Sequence, residues 1–372
     1  MRPTSSGDFR PPGSQPTGTA GITGTVGSGR SGAAAEAGTV SPGRPPQVAI
    51  VLFALGGTIS MARQDSGGVV ARLTGRDLLG SVGGLDGMEI DVRDQITVPS
   101  ASLSFGEILG VVDAADEAVH GGARGIVLTQ GTDTLEETAF LVDSVWPHEA
   151  PFVLTGAMRN PTLPGADGPA NLLAAIQVAM ADPARGRGAL VVFSDEIHAA
   201  RYVRKAHSTS TATFTSPDAG PIGHLVEFVP RFLAQVPRRV LVTGLDRDAL
   251  AATRIALYTM TLDDDGLMLD RVARTHHGLV VAGFGVGHVP ARLAPLLGEL
   301  ASVMPVVLTS RTGAGPVLES TYGAIGSERD LRERGLISGG FVHPYKARVL
   351  LRLLVAKGTD REAIAAAFAE LG

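Results

Sequence analysis

Short apolar runs, each stopped by glycine or by a polar loop, constrain the fold of this chain more than any other feature. Residues 48–55 end at Gly56 and Gly57, 125–129 lead to Gly131, 151–154 to Gly156, and 189–193 to a polar loop. Continuous apolar runs of this length suit strands buried on both faces of a parallel sheet. The stretches between them carry helical signals. Thr134 and Glu137 have capping-box spacing, and Leu135, Ala139, Leu141 and Val142 give an apolar face before Trp146 and Pro147. Strands alternating with helices predict a doubly wound parallel sheet with its ligand edge at the strands' carboxyl ends.

The expected organisation is α/β with two parallel domains. A larger N-terminal domain covers 47–235, a connection containing Pro237 covers 236–254, and a smaller C-terminal domain covers 255–372. The second domain is read from apolar runs at 280–284 and 303–309 and a helical pattern at 347–355. Residues 1–46, built from Gly, Ser, Thr, Pro and Ala, read as a disordered tail, because they bury too little apolar surface to offset the entropy of ordering. The tail contains no apolar core suited to a signal peptide, so a cytoplasmic location is expected.

Composition removes several function classes. A net charge of -5, with no dense Lys/Arg cluster, argues against nucleic acid as a partner, and no apolar stretch is long enough to suggest a membrane span. With no cysteine, disulfides, thiolate metal sites and a cysteine nucleophile are excluded together. Gly27, Gly29 and Gly32 fit a dinucleotide spacing but have neither the strand before nor the helix after; Gly283, Gly285 and Gly287 are followed by His288 in place of the last glycine, so both read as turns. Adjacent His276 and His277 would face opposite sides of a strand. Asp263, Asp264 and Asp265 lack the alternation and closing glutamate of a calcium loop, and read as a solvated turn. Neither cofactor nor metal is expected.

The chemistry-bearing residues lie after the first strands. Thr58 follows Gly56-Gly57 and Thr132 follows Gly131, where glycines let a ligand approach the backbone and leave amide N–H groups aimed at developing negative charge. A threonine hydroxyl attacks a carbonyl only when another group takes its proton. Asp133 is adjacent, and Lys205 lies in the polar stretch after 189–193; a buried lysine can be made neutral enough to act as a base, which an arginine cannot. Singly, each has a plain structural reading as turn, helix cap or solvated charge. Their joint order on one sheet edge is the signal.

Ala-Leu-Gly-Gly-Thr-Ile at 54–59 and Thr-Gln-Gly-Thr-Asp-Thr-Leu-Glu-Glu-Thr-Ala at 129–139 resemble the two signature segments of bacterial L-asparaginases. Segments 153–159, 166–171, Lys205 with 212–214, and Pro344 with 346–351 resemble that family too, so the likeness runs from about residue 48 to the end. It implies hydrolysis of L-asparagine to L-aspartate and ammonia through a threonine acyl-enzyme, with Thr58 attacking the side-chain carbonyl and Thr132, Asp133 and Lys205 forming a second triad. Asp133 would bind the substrate's α-ammonium, Ser100 its α-carboxylate, and Gly131 and Thr132 would complete the substrate pocket. It also implies a homotetramer of intimate dimers.

Two departures matter. The segment 61–76, where the family carries a lid tyrosine, has none, and Tyr322 stands at the position of an acidic residue given by a neighbouring subunit; two readings of Tyr322 stay open, replacement of the lid phenol across an interface and an aromatic packed at a loop. Ala101 follows Ser100 where a polar side chain is common, which leaves the choice of amide open between asparaginase and a glutaminase or broad-specificity enzyme. A third alternative is a non-catalytic amino-acid sensor that kept the binding groups.

Overall fold

The computed structural model describes residues 49–63, 69–85, 87–236 and 240–372. The 1–46 tail with its Gly27, Gly29 and Gly32, the lid glycines Gly67 and Gly68, and Pro237 lie outside the described residues. Strand β1 (Ile50–Ala54) is followed by a hairpin, β2 (Met61–Arg63) and β3 (Val69–Ala71), in the expected lid segment. Next come β4 (Ile90–Asp94), β5 (Gly125–Thr129), β6 (Phe152–Thr155) and β7 (Ala189–Phe193). With β1 these form a parallel array in the order β7-β6-β5-β1-β4, and β1, β5, β6 and β7 are buried at every position. Helices Phe105–His120 and Leu135–Val145 and helix Gly168–Met180 feed separate apolar cores built on alternate residues of the same strands: Phe53 and Leu128 in one, Leu52 and Val127 in the other. This is the double winding that the glycine-punctuated runs predict.

The sheet then continues in a way the sequence reading did not include. β8 (Glu196–Ala199) runs antiparallel to β7 and, beyond the small ladder of β9 (Arg204–Lys205) with β10 (Phe214–Thr215), β11 (Gly223–Val226) and β12 (Val229–Phe232) extend the edge. The tight turns are Ser194-Asp195 and Glu227-Phe228, all four residues at φ between 49° and 62°. Two consecutive left-handed residues make the turn that matches strand twist, and it is usually signalled by Asn-Gly or Asp-Gly. Here no glycine marks it. Pro230 sits in the edge strand β12, where its missing N–H costs no ladder bond.

The helix that follows Thr132 corrects a local expectation. Thr134 makes no capping bond; its Oγ1 donates to the Ser100 carbonyl at 3.0 Å instead. Complete capping boxes occur at Thr74 with Asp77 and at Ser104 with Glu107. Within 236–254, an Asp246-capped helix, Arg247–Ala252, buries Leu250 and pairs Arg247 with Asp113 at 2.6 Å.

The second sheet is wholly parallel: β13 (Ile255–Thr259), β14 (Gly278–Gly283), β15 (Val306–Ser310) and β16 (Ile337–Ser338), in that order. Helix Pro344–Ala356 packs on β13, β14 and helix Leu135–Val145, so one apolar core runs from Phe53 and Trp146 to Val280 and Leu350. Gly283 ends β14 in a turn closed by Phe284 N–H to His288 O, as expected. The 263–265 turn differs from expectation: Asp263 is exposed, but Asp264 is buried and accepts from the Tyr258 hydroxyl and Gly266 N–H, because its carboxylate organises the turn. Among the described residues no helix is long and apolar enough to cross a membrane.

His198 of β8 is fully buried, and burial, then the like charges of His224 and Lys346, lower its pKa to about 4. Nδ1 meets Ser216 Oγ at 3.0 Å, whereas Nε2, 3.2 Å from Glu196 Oε2, is not aligned for a hydrogen bond. Between the unfolded value near 6.5 and about 4 only the unfolded chain binds this proton, so stability falls as pH falls through that window. The loss is on the order of 3 kcal/mol. Denaturant unfolding at pH 7 and pH 4.5 measures it, and His198→Gln is expected to flatten that pH dependence.

Candidate active site

Two loops meet at the carboxyl edge of the large sheet. β1 ends in Gly56 and Gly57, at φ 82° and 89°, and Thr58 opens the one-turn helix Thr58–Ser60. β5 ends before Gly131, and Thr132 opens the turn Thr132–Thr134. The loops touch backbone to backbone: a Cβ added to Gly57 would lie 2.2 Å from Gly131 N and 2.4 Å from its Cα. Thr58 and Thr132 are each one residue beyond that contact, so their Cα atoms are at most about 12 Å apart. Adjacent parallel strands β1 and β5 fix this in register.

Ser100 closes the third side. A Cβ on Gly131 would meet Ser100 Oγ at 2.7 Å, so glycine is needed where the serine approaches. Ser100 is buried, and its Oγ accepts the Asp133 backbone N–H at 3.2 Å. From β9, Lys205 Nζ donates to Thr132 Oγ1 at 2.9 Å and to Asp133 Oδ1 at 2.7 Å. The Lys205 side chain is 16% exposed and that of Asp133 69%, so the carboxylate faces the open side while the lysine stays covered. A threonine hydroxyl that accepts from lysine keeps its own proton to donate elsewhere, and a lysine that loses a proton can accept it. The arrangement therefore supports a proton relay, and Asp133 offers negative charge to a cationic ligand group.

Thr58, Ser100, Gly131, Thr132, Asp133 and Lys205 thus gather on one edge. Tyr322 does not join them within the chain. It is 48% exposed, stands edge-on to His288 at 4.9 Å, and its backbone N–H donates to buried Glu328. Sequence reasoning gave no role to several polar groups around the site, buried Asn171 and half-buried Asp167 among them. Asn171 donates to the Gly156 carbonyl and accepts from Ser194 N–H, and Asp167 accepts from Met158 and Arg159 N–H. Glu136 and Lys346 are also buried. A charged residue inside a helix's apolar stripe, as Glu136 is beside Leu135 and Ala139, was the available signal. Among the described residues, the one group of three possible metal ligands is Asp116, His120 and His148, which bring one ligand atom each within 4.8 Å of one another. That cluster precedes β5 and β6, at the opposite edge of the sheet, and His148 already pairs with Asp116 at 2.5 Å.

A doubly wound α/β unit with a hydroxyl, lysine and carboxylate chain at its ligand edge has the parts of an enzyme site for nucleophilic attack on a carbonyl, and the matches that follow make the class an amidohydrolase. Residues 49–237 match the family model described as asparaginase, N-terminal, and 254–368 the one described as glutaminase/asparaginase C-terminal domain. The chain is 35% identical over 292 residues to a probable L-asparaginase of Deinococcus radiodurans, covering 77% of this chain and 88% of that protein. It is 32% identical over 338 residues to a glutaminase-asparaginase of Pseudomonas aeruginosa, covering 86% and 90%. The crystal structure of a probable cytoplasmic L-asparaginase from Campylobacter jejuni superposes with a TM-score of 0.78 at 29% identity, covering 87% and 99%. The chain belongs to the asparaginase family.

Proposed function

We propose that this enzyme hydrolyses L-asparagine to L-aspartate and ammonia through an acyl-enzyme on Thr58, assisted by Thr132 and Lys205. The observation that carries the reading is the hydrogen-bonded chain Asp133–Lys205–Thr132 lying against the Gly57–Thr58 loop. Thr58 attacks the side-chain carbonyl, the amide nitrogen leaves as ammonia, and water then releases aspartate. Lys205 relays protons through Thr132, and the backbone N–H groups beside the glycines stabilise the oxyanion. Asp133 holds the α-ammonium and Ser100 the α-carboxylate, which satisfies both ends of a zwitterion and fixes the amide for attack.

A dual asparaginase/glutaminase activity is the second reading, supported by the match to a protein named glutaminase-asparaginase and by Ala101 beside Ser100. One methylene changes pocket fit by about 1–3 kcal/mol, so the two amides should differ by roughly 10- to 200-fold in kcat/KM. Ammonia release from each amide, measured side by side, is expected to favour asparagine. Equal or greater release from glutamine reverses the preference, and release from neither removes the reading. Assembly as a dimer or tetramer and a cytoplasmic location belong to the same proposal, as does a role for Tyr322 in a neighbour's site. In the same assay Tyr322→Phe is expected to lower kcat by about two orders of magnitude, as loss of a positioned proton-transfer group does, with an unchanged melting temperature. Unaltered kinetics would remove Tyr322 from the mechanism.

A further inference from the structure

Two charged side chains are buried beside the Thr132–Lys205 pair without a part in the chemistry above: Glu136 is 4% exposed and Lys346 1%. Glu136 lies in the helix Leu135–Val145, which begins directly after the Thr132–Thr134 turn, and its carboxylate faces the backbone N–H of Lys205. Lys346, in the first turn of helix Pro344–Ala356, donates to the carbonyls of Arg201 at 3.1 Å and of Val203. Those carbonyls belong to the segment leading into β9. The strand itself is two residues long and paired only with the equally short β10, too little ladder to fix a side chain alone.

Stability does not explain these charges. Taking ions out of water costs more than their attraction usually returns, and well-packed apolar residues often serve as well. Burial raises the Glu136 carboxyl pKa and lowers that of Lys346 to about 7; the two attract each other, Arg204 and Lys205 also attract the carboxylate, and the amine is attracted by Asp143 but repelled by Arg204 and Arg201. One Glu136 oxygen, Oε2, has no hydrogen-bond partner. What the geometry shows is backbone held at two points, the carbonyls of Arg201 and Val203, by Lys346, with the Glu136 carboxylate facing the N–H of Lys205 beside them. Charged or neutral, the lysine amine keeps the two N–H bonds its carbonyls need, so this clamp does not depend on its proton.

We infer that Glu136 and Lys346 are positioning residues that fix the two-residue strand carrying Lys205, and so keep Nζ in contact with Thr132. The inference rests on the roles given above to Thr132 and Lys205. A displacement of about 1 Å in such a contact costs on the order of 100-fold in rate. Lys346→Met, which keeps the stem and removes both donors, is therefore expected to lower kcat for asparagine by about 10- to 100-fold per folded chain. KM should stay within about threefold, because Ser100 and Asp133 hold the substrate from other elements. Glu136→Ala should do the same, and Glu136→Gln, which retains an acceptor for Lys205 N–H, should recover most of kcat.

Lys205→Met serves as the control. If it still releases ammonia at the wild-type rate, the reading of the site fails and takes this inference with it. If it is inactive while Lys346→Met and Glu136→Ala keep kcat within twofold per folded chain, the site stands and the clamp alone is overturned. A lowered melting temperature with unchanged kcat per folded chain also overturns it, since that is a purely structural role. Should Lys346→Met fail to fold, the Glu136 pair decides: recovery by Gln over Ala supports the clamp, and equal kcat in the two rejects it.

Discussion

Thr58→Ala is expected to lower kcat for ammonia release from asparagine by about four orders of magnitude or more, the scale on which removing a nucleophile acts. The folded state should hardly notice. Thr58 is half-buried, and no side-chain hydrogen bond to it occurs among the described residues, so the change removes a hydroxyl and a methyl from a site edge and leaves no buried partner unsatisfied. Thr132→Ala is expected to be comparably inactive for a different reason. It deletes the hydroxyl that accepts from Lys205, and the covered lysine keeps only Asp133. Residues that act as one unit are not additive, so the double variant should be little worse than either single one. The roles separate in a trapping experiment: with asparagine and rapid acid quench, Thr132→Ala should still accumulate a small mass increase on the peptide containing Thr58, and Thr58→Ala should show none. Substantial turnover by Thr58→Ala, above about a tenth of wild type, would transfer the nucleophile role to Thr132 or end the acyl-enzyme reading.

The parallel half of the fold was legible because buried parallel strands need continuous apolar runs, and glycines are needed where those strands enter ligand loops. Residues 48–55 and 125–129 announce both features, and the structure places Ile50–Ala54 beside Gly125–Thr129 as β1 and β5. The antiparallel edge was not legible, since Ser194-Asp195 and Glu227-Phe228 turn the chain through left-handed residues without a glycine or asparagine to mark them. Thr134 illustrates a different limit. Its spacing to Glu137 fits a capping box, but a tertiary acceptor, the Ser100 carbonyl, takes its hydroxyl. Of the site, the residues adjacent to glycines could be found by local pattern. Lys205 could be offered as a candidate base from its polar stretch after 189–193, but local pattern could not fix its contact with Thr132, which is set by a crossover through β6, β7 and β8. The backbone-holding groups Glu136 and Lys346 gave weaker signals still. A buried charge reads in sequence as a break in apolar periodicity, and only the packed structure says what it holds.

Gly57→Ala should be among the most damaging single changes outside the chemistry itself. Two independent effects combine there. At φ 89° and ψ -172° the backbone occupies a region that is essentially restricted to glycine, at a cost of order 1–3 kcal/mol for any other residue. The added methyl would also lie 2.2 Å from Gly131 N, 2.4 Å from Gly131 Cα and 2.8 Å from the Gln130 carbonyl carbon, all backbone atoms that no rotamer change can move aside. A combined destabilisation of about 3–5 kcal/mol is expected, in the range reached by few point mutations. Whatever fraction folds should do so with the two loops pushed apart, and a shift of about 1 Å at the reacting groups is enough to lose some 100-fold in kcat. Gly84→Ala separates the two effects. Gly84, at φ 81°, has nothing within 4 Å of the added carbon, so alanine there should meet positive-φ strain without a clash and leave kcat untouched. Thermal unfolding and ammonia release measured on both variants distinguish strain from contact. If Gly57→Ala is no worse than Gly84→Ala in either measurement, the loops after β1 and β5 are not in backbone contact, and Thr58 and Thr132 do not serve one substrate.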